Sequence, residues 1–352
     1  MSKPTKRDCA IAEAISDWFI ENDRDFPWRT TPRNPYYALV SEAMLLQTQA
    51  ARIAERFPVF IDRFPTIESL AHANEQDVLA QWSGLGYYRR AKNLHRAAQQ
   101  VVDEHDGNVP SDVESLLRLP GIGRYTAGSI ASIAFDKPEP IVDGNVVRVL
   151  LRIEGADLPP TETATMKLLW ERAETLVKSA DSPAAFNEGT MELGATICTP
   201  RSPSCEECPV RTRCKAKKQG RQGEIPMPKP KPKQRIVHAA CVVIRDKQGR
   251  LLIEQRDDSG MWAGLWQAPT VESNDKSPSK AMIKVIAGGK QIKRLDSFEH
   301  QTSHRTFHFT IYAAAPPSRR KAHQHWATDA QIRALALARP QMRILLGDDG
   351  SG

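Results

Sequence analysis

The hydrophobic pattern of this chain changes at a basic, proline-rich segment, KAKKQGRQGEIPMPKPKPKQR, residues 216–236. Before this segment, apolar residues recur at steps of three and four, which is the spacing of one face of a helix. After it, short apolar runs bounded by turn residues are typical of strands. The alternating Pro and Lys residues favour extended polyproline geometry. The sequence therefore predicts a multidomain chain: an all-α domain over 1–215, a linker over 216–236 and an α+β domain over 237–346.

Three segments of the first domain have clear helical periodicity. The longest, YALVSEAMLLQTQAARIAERF (37–57), is predicted to present one continuous apolar helical face. IESLAHANEQDVLAQW (67–82) and YRRAKNLHRAAQQVVDEH (88–105) have the same spacing. Glycine and proline clusters between them mark short loops.

The second domain combines strand and helix signals. HAACVVIRD (238–246) and RLLIEQRD (250–257) are predicted strands, and the intervening DKQG predicts a hairpin between them. RTFHFTIYAAA (305–315) is a third predicted strand. SPSKAMIKVIAG (277–288) and TDAQIRALALA (328–338) are predicted helices.

Positive charge is concentrated in residues 201–236. The whole chain has a net charge of +7, whereas this stretch alone carries eleven Lys and Arg against three acids. A local excess of this kind suits the phosphates of a polyanion such as double-stranded DNA. A solvated basic linker has the same composition.

The chain has no apolar run long enough to span a bilayer. Its N-terminus begins with basic residues but then places acids within the apolar part, which is unlike a secretory signal. We therefore expect no membrane association and a cytoplasmic, nucleoid-associated location, and we expect a monomer.

Four cysteines lie within 17 residues, with the spacing C-x6-C-x2-C-x5-C: Cys198, Cys205, Cys208 and Cys214. Four thiolates this close together bind either zinc or an iron–sulfur cluster. Zinc ribbons usually contain two C-x-x-C pairs, and only one is present here. The wide first gap and the arginines between the ligands favour a loop, residues 198–214, wrapped around a cluster.

A glycine-containing turn at LPGIGRYTAGSIAS, residues 119–132, separates two helical segments. Gly121 and Gly123 allow a tight turn, and backbone N–H groups at the start of the second helix suit a DNA phosphate. An ordinary helical hairpin has the same local pattern.

A second helix start follows at PIVDGNVVRVLLRI, residues 140–153. Asp143 precedes Gly144 and Asn145, in a position where aspartate commonly caps a helix. It is also a candidate functional carboxylate, because the positive end of a helix favours its ionised form.

Together these motifs resemble the endonuclease III superfamily of helix-hairpin-helix DNA glycosylases, and their details are similar to its adenine-specific branch, the MutY adenine DNA glycosylases. The resemblance covers residues 27–214, with the helix-hairpin-helix at about 113–132. It rests on the stretches PWR, SEAMLLQTQ, GLGYYRRAKNLHRAA, LPGIGRYTAGSI, VDGNVVRVL and NEGTMELGATICTP.

The resemblance implies hydrolytic removal of a base by two carboxyl groups with different roles. Glu42 suits the acid, because its helical neighbours Ala38, Leu39, Leu45 and Leu46 are apolar, and desolvation raises the pKa of a carboxyl group. Asp143 would stabilise the cationic sugar or bond to it transiently. Tyr125 and Asn145 would support this centre.

The resemblance also implies further contacts with DNA and with the cofactor. Tyr125 stands where strand-cleaving relatives have a lysine, so a monofunctional enzyme is expected. Gln47 would fill the gap in the helix and Tyr87 would wedge beside the opposite base. Core packing is the alternative interpretation for Trp28 and Tyr87. The cofactor implied is one [4Fe–4S] cluster. The other implied substrate-binding residues are Trp28, Arg29, Leu45, Leu85, Gly86 and Glu188.

The second domain resembles the opening of a Nudix fold without the glutamate-rich helix that binds metal ions in Nudix hydrolases. The resemblance implies a domain that reads 8-oxoguanine. Ser303 and His304 are the candidate contacts, with Thr302 where phenylalanine is usual; a polar hairpin tip is the alternative interpretation.

The expected function is removal of adenine mispaired with 8-oxoguanine or guanine, in double-stranded DNA. A related glycosylase for another mismatched or oxidised base is one alternative, and a non-catalytic DNA-binding module is another. The linker is a candidate docking segment for repair partners.

Overall fold

The computed structural model describes residues 4–227, 234–274 and 276–347. The chain divides into two compact units. The first contains Met1–His72 and Asn93–Pro230, and the second contains Ala73–Lys92 and Lys231–Gly352. Residues 73–92, predicted to belong to the helical domain, thus group with the C-terminal part of the chain.

The first unit is helical. Most of α6 falls in this unit, since its boundary with the second unit lies between Lys92 and Asn93. The helices are α1 (Lys6–Asn22), α2 (Pro35–Leu45), α3 (Ala50–Arg63), α4 (Ile67–Ala71), α6 (Arg89–His105), α7 (Val113–Arg118), α8 (Arg124–Phe135), α9 (Gly144–Glu154), α10 (Thr163–Val177), α11 (Pro183–Thr196) and α12 (Lys215–Lys218).

Local sequence signals define the ends of these helices. Thr5 and Asp8 form a capping box at the start of α1. Asn34 caps α2, with Pro35 at its first position, where a missing N–H costs nothing. Ser182 caps α11 in the same way. The helices pack around a core to which α1, α9, α10 and α11 contribute.

The prediction of one continuous helical face over residues 37–57 is wrong. α2 ends at Leu45 and α3 begins at Ala50, and Gln47 between them has a φ of +61°. The left-handed conformation of Gln47 breaks the helical hydrogen-bonding pattern. Apolar residues keep the helical spacing of three and four across this break, so the sequence pattern did not indicate it. Similarly, the predicted helix over 67–82 is divided into α4 and a helix, α5 (Glu75–Gln81), that Asn74 caps.

Residues 216–227 of the predicted linker are part of the first unit, whereas its residues 234–236 belong to the second. Ala216 and Ile225 are buried in the core of the first unit. The Arg152 Nε–H donates a hydrogen bond of 2.8 Å to the Ile225 carbonyl. Residues 228–233, which hold most of the Pro-Lys repeat, lie outside the described residues.

The second unit is α+β, as predicted. Besides α5 it contains two sheets, with strand orders β4-β1-β6-β5 and β3-β2-β7 in the described residues. The elements are β1 (Arg235–Ile244), β2 (Leu251–Gln255), β3 (Trp266–Gln267), β4 (Thr270–Asn274), α13 (Lys280–Ile286), β5 (Ile292–Gln301), β6 (Arg305–Ala314), β7 (Gln324–Ala327), α14 (Asp329–Arg333) and α15 (Arg339–Leu346).

Strand β1 is central to its sheet, parallel to β6 and antiparallel to β4. Both of its faces are covered: Val237, Ala239 and Cys241 enter one apolar cluster, and Ala240 and Val242 enter another. Burial on both faces explains the continuous apolar run in this segment.

Two details of the second unit differ from prediction. β1 and β2 do not form a hairpin, because beyond a single bridge between Arg245 and Leu251 they enter different sheets. The predicted helix over 328–338 is limited to α14, because Leu337 extends to form a bridge with Trp266.

Candidate active site

A cavity of about 680 Å³ in the first unit brings together many of the predicted site residues. Its volume is within the range of roughly 300–1,000 Å³ that is typical of ligand pockets. The wall is built from α2, α8, α9, α11 and the chain preceding α2. The predicted residues that line it are Trp28, Arg29, Glu42, Leu45, Gln47, Tyr125, Asp143, Asn145 and Glu188.

Glu42 is buried on α2, with 6% of its surface exposed. The Ser129 hydroxyl donates a 2.8 Å hydrogen bond to its Oε1, whereas Oε2 has no hydrogen-bond partner in the described structure. Burial raises the pKa of Glu42 to about 7, and the hydroxyls of Ser129 and Tyr125 oppose this shift. The pKa of Glu42 is thus shifted upward, the direction predicted from its apolar neighbours. Glu42 can therefore hold and release a proton near neutral pH.

Tyr125 lies on α8, one turn before Ser129. Burial and the nearby Glu42 carboxyl raise the pKa of its hydroxyl well above the usual value, so Tyr125 stays protonated. The hydroxyl donates to the Met191 sulfur at 3.3 Å. The cavity wall thus places a phenol, and no amine, at this position of α8.

Asp143 is a helix cap and also a residue of the cavity wall. It caps α9, since its Oδ1 accepts a 2.7 Å hydrogen bond from the Val146 N–H, and it also lines the cavity. The helix start favours the ionised form of Asp143, as predicted, but burial acts in the opposite direction and is the larger effect. Burial raises the pKa of Asp143, although hydrogen bonds from Val146 and Asn145 favour the charged form.

Asn145 is held from two sides. Its Nδ2–H donates to Asp143 Oδ2 at 3.1 Å, and its Oδ1 accepts from Arg148 Nη2 at 2.9 Å. Arg148 also donates to the Cys198 carbonyl at 2.7 Å. A Cβ at Gly194 would lie 2.6 Å from the Asn145 Cβ, so this glycine permits α11 to approach α9 closely. Hydrogen bonds therefore connect the Asp143 carboxyl with the first cysteine of the four-cysteine loop.

A network of charges forms another part of the wall. Arg29 donates to Glu188 Oε1 at 2.9 Å and to Glu192 Oε2 at 3.1 Å, and Arg33 donates to the other Glu188 oxygen at 2.6 Å. Burial raises the pKa of Glu188, while Arg29 and Arg33 oppose the shift. Buried charges of this kind are stable only when paired, so the network fixes the orientation of both carboxylates.

Trp28 both packs and lines the cavity. Its ring stacks on Phe26 with 4.6 Å between centroids and meets the edge of Phe57 at 5.7 Å. It is half-buried and lines the cavity. The packing and binding interpretations of Trp28 are thus compatible.

The second unit holds the remaining predicted base-contacting residues. Tyr87 is exposed and has a φ of +47°, so it is not a core residue. Its hydroxyl is hydrogen-bonded to the Ser303 hydroxyl. Leu85 is buried, and Gly86 precedes Tyr87 with a φ of +69°. Glycine adopts a positive φ readily, so Tyr87 is the residue of this turn whose backbone conformation is uncommon.

Ser303 and His304 form the turn between β5 and β6. Thr302 stabilises this turn, because its N–H donates to the Arg305 carbonyl at 2.8 Å and its hydroxyl accepts from the Arg305 N–H at 3.1 Å. The threonine at position 302, where phenylalanine is usual in the family that the chain resembles, therefore stabilises this turn. The polar turn and the candidate contact to a base are the same feature.

The glycine-containing turn lies between α7 and α8, as predicted. Gly121 has a φ of +79°, and a Cβ there would approach Asn93 to 2.6 Å. Gly123 immediately precedes α8 and leaves the first turn of that helix without a side-chain cap. The backbone N–H groups in the first turn of α8 therefore make no hydrogen bond to a capping side chain.

The four cysteines of the 198–214 loop line one small cavity of about 20 Å³. Buried Arg152 donates to the Cys198 sulfur at 3.3 Å and to the Thr199 carbonyl at 2.7 Å. Arg211 and Lys217 also line the cavity, so positive charge surrounds the sulfurs. This donor set fits an anionic iron–sulfur group. The described side chains form no ready site of three or more His, Cys, Asp or Glu for a single metal ion, so the number and type of donors, and the cations around them, are what favour a cluster here.

Sequence reasoning missed several residues of the cavity wall, notably Ser129, Met191, Glu192 and Arg33. Helical spacing could have identified two of them, because Ser129 lies four residues after Tyr125 and Glu192 lies four residues after Glu188. The contributions of Met191 and Arg33 depend on tertiary packing.

Comparisons with known proteins agree with this architecture. The model of the HhH-GPD superfamily of base excision DNA repair proteins matches residues 40–175. The iron–sulfur binding domain of endonuclease III matches 198–214, and the NUDIX domain matches 240–347.

In the described residues, no helix is both long and apolar enough to cross a membrane.

Two curated relatives are similar over most of their length. Adenine DNA glycosylase of Rattus norvegicus is 32% identical, covering 95% of this chain and 77% of the relative. Adenine DNA glycosylase of Buchnera aphidicola is 35% identical, covering 85% of both chains. Among solved structures, a thermostable thymine-DNA glycosylase has a TM-score of 0.55 at 32% identity, covering 61% of this chain and 98% of that one.

The helical fold, the glycine-containing hairpin and the iron–sulfur binding loop define a helix-hairpin-helix DNA glycosylase, to which a Nudix-like domain is joined. The chain belongs to the adenine DNA glycosylase family.

Proposed function

We propose that the protein removes adenine mispaired with 8-oxoguanine, and more slowly adenine mispaired with guanine, from double-stranded DNA by monofunctional hydrolysis. The observation that carries this proposal is Glu42: a buried carboxyl with a pKa of about 7, in the same cavity as Asp143. The adenine-specific activity named for its relatives supports the choice of base.

Glu42 supplies the proton that adenine needs in order to leave. The proton passes to N7 of adenine, and the electron pair of the glycosidic bond moves onto the base as that bond breaks. Asp143 stabilises the cationic sugar that forms. Water then adds to the sugar, and its released proton returns to Glu42. The flipped base enters the cavity at a cost of a few kcal/mol for unstacking.

Tyr125 supports the monofunctional character of the reaction. A lyase needs an amine to form a Schiff base with the sugar. The cavity presents the Tyr125 hydroxyl, which remains protonated and cannot form that adduct. Water is the nucleophile that this site favours.

The second unit supports recognition of 8-oxoguanine. The Tyr87 ring offers a stacking surface, and the Ser303 hydroxyl bonded to Tyr87 offers a polar contact. Oxidation of guanine adds an oxygen at C8 and a hydrogen on N7, so the lesion has groups that a hydroxyl can recognise. His304 is adjacent to Ser303 in the same turn.

The cofactor that we assign to the four cysteines is one [4Fe–4S] cluster. When bound, it organises the basic loop that contains Arg211 and Lys217. Cys198, Cys205, Cys208 and Cys214 would hold it. Chemical analysis of the purified protein should give four irons and four sulfides per chain; one zinc in their place would contradict the assignment.

DNA binding is assigned to two features of the first unit. The uncapped start of α8 after Gly123 suits a phosphate, and the basic stretch 201–227 supplies cations. We propose a monomer located in the cytoplasm at the nucleoid. The Pro-Lys repeat is the candidate docking segment for repair partners, and most of it lies outside the described residues.

Single-turnover base release on matched duplexes tests the proposal. Adenine opposite 8-oxoguanine should be released faster than adenine opposite guanine, and thymine opposite guanine should not be released at a comparable rate. Strands should break only after treatment with alkali. Faster release of thymine, or strand cleavage without alkali, would contradict the proposed substrate or the monofunctional character, respectively.

Changing Ser303→Ala should reduce the preference for 8-oxoguanine by about tenfold, since one good polar base contact is worth about 1–3 kcal/mol. The ratio of the release rates from the 8-oxoguanine and guanine duplexes measures this preference. Tyr87→Phe breaks the same hydrogen bond, and the double variant should lose little beyond either single variant. An unchanged ratio in all three variants would contradict recognition through this pair.

A further inference from the structure

Ser129 uses its hydroxyl in an unusual way for a serine inside a helix. Such a hydroxyl commonly donates to a carbonyl on its own helix. Ser16, for example, donates to the Ala12 carbonyl at 2.9 Å. Ser129 instead donates from α8 to Glu42 on α2, at 2.8 Å, and its side chain is fully buried.

This single bond makes the two oxygens of Glu42 different. Oε1 accepts from Ser129, so it is held as an acceptor. Oε2 is also buried and has no hydrogen-bond partner in the described structure, because the Tyr125 hydroxyl, although close to the carboxyl, donates to the Met191 sulfur. A protonated carboxyl carries its hydrogen on one oxygen only, and an oxygen that already accepts a hydrogen bond is the less suitable one to carry it.

We propose that Ser129 is a positioning residue for the reaction: by anchoring Oε1 it directs the acidic proton to Oε2, from which it is transferred to the departing base. This inference rests on the proposed function, in which Glu42 is the acid. Glu42 loses one proton and the base gains it, so no further reactant is required. Ser129 itself keeps its proton throughout.

The other groups that face Glu42 determine how loss of Ser129 would act. Asp143 at the start of α9 and Glu188 on α11 disfavour a charge on Glu42, while Tyr125 on α8 favours it, as Ser129 does. Removing the Ser129 hydroxyl therefore removes a donor that stabilises the ionised form. The carboxyl should bind its proton more tightly and should also lose its fixed orientation.

The pH dependence of adenine release by Ser129→Ala tests the inference. The rate on the low-pH plateau should fall about tenfold, because the proton is no longer aimed at the base. The pH at which release begins to fall should rise by about one unit, the size expected for loss of a hydrogen bond to a charged group. A structural role alone would lower the rate but would not move this pH.

Ser132→Ala is the matched control. Ser132 is buried on the same helix, three residues further on, but its hydroxyl bonds to the Ser129 carbonyl at 3.4 Å and to Asn187 at 2.9 Å. Its pH profile should match that of the unmodified protein. If Ser129→Ala also has the unmodified profile, or if both variants shift equally, the inference is wrong.

A second comparison uses Glu42→Gln as the background. Adding Ser129→Ala to this variant should cause no further loss, because no proton remains to be directed. An equal further loss would indicate a structural role and overturn the inference. Full activity of Glu42→Gln itself would instead overturn the proposed acid, so the two failures are distinguishable.

Discussion

Glu42→Gln should reduce the single-turnover rate of adenine release by about 10³-fold, within the range of roughly 10²–10⁴ for loss of general acid–base catalysis. Glutamine has the same shape and can still accept the hydrogen bond from Ser129, but it has no acidic proton to transfer. In the unmodified protein, release should be fastest below pH 7 and should fall as pH rises through about 7, the pKa of Glu42. The variant should lose this dependence.

The folded state of Glu42→Gln can be checked through its stability. Because the pKa of Glu42 is raised from 4.5 to about 7 by folding, the unmodified protein loses stability as pH rises through that window. The variant carries no ionisable group there, so at pH 8 its unfolding temperature should equal or exceed that of the unmodified protein. Wild-type rates of release from a folded Glu42→Gln would exclude Glu42 as the acid.

Asp143→Asn should reduce adenine release by about 10³-fold while leaving duplex binding largely intact. The amide oxygen can still cap α9 by accepting from the Val146 N–H, so the helix should remain. What is lost is the negative charge that stabilises the cationic sugar, and electrostatic stabilisation is commonly the largest part of catalysis. Release rates and binding to an uncleavable duplex, measured side by side, separate the two effects.

Asp112→Asn provides a matched control for this change. Asp112 caps α7 by accepting from the Ser115 N–H at 2.8 Å, in the same manner as Asp143, but it does not line the cavity. This variant should release adenine at the unmodified rate. If Asp143→Asn is equally active, Asp143 is only a helix cap and the proposed mechanism fails.

The sequence allowed the chemistry of Glu42 to be predicted because helical spacing identifies which side chains surround it. It did not show the break at Gln47, because glycine is the usual marker of a positive φ and here a glutamine adopts it. Leu46, one of the four neighbours used in that prediction, lies just beyond the end of α2. The predicted direction of the pKa shift was nevertheless right, since α8 also covers Glu42.

Tertiary burial explains the features that local sequence could not provide. The helix start at Asp143 is visible in the sequence, but the surrounding elements that raise its pKa are not. The pairing of Arg29 with both Glu188 and Glu192 joins residues more than 150 positions apart. In the second unit, the turn after β1 was visible, whereas the separation of β1 and β2 into two sheets depends on partners distant in sequence.

The central claim is that burial keeps the Glu42 carboxyl protonated near neutral pH. Carbon-13 NMR titration of the glutamate side-chain carboxyls, with Glu42→Gln used to assign the resonance of Glu42, measures this most directly. The structure predicts a midpoint of about 7. A midpoint at or below the ordinary value of 4.5 would contradict the account.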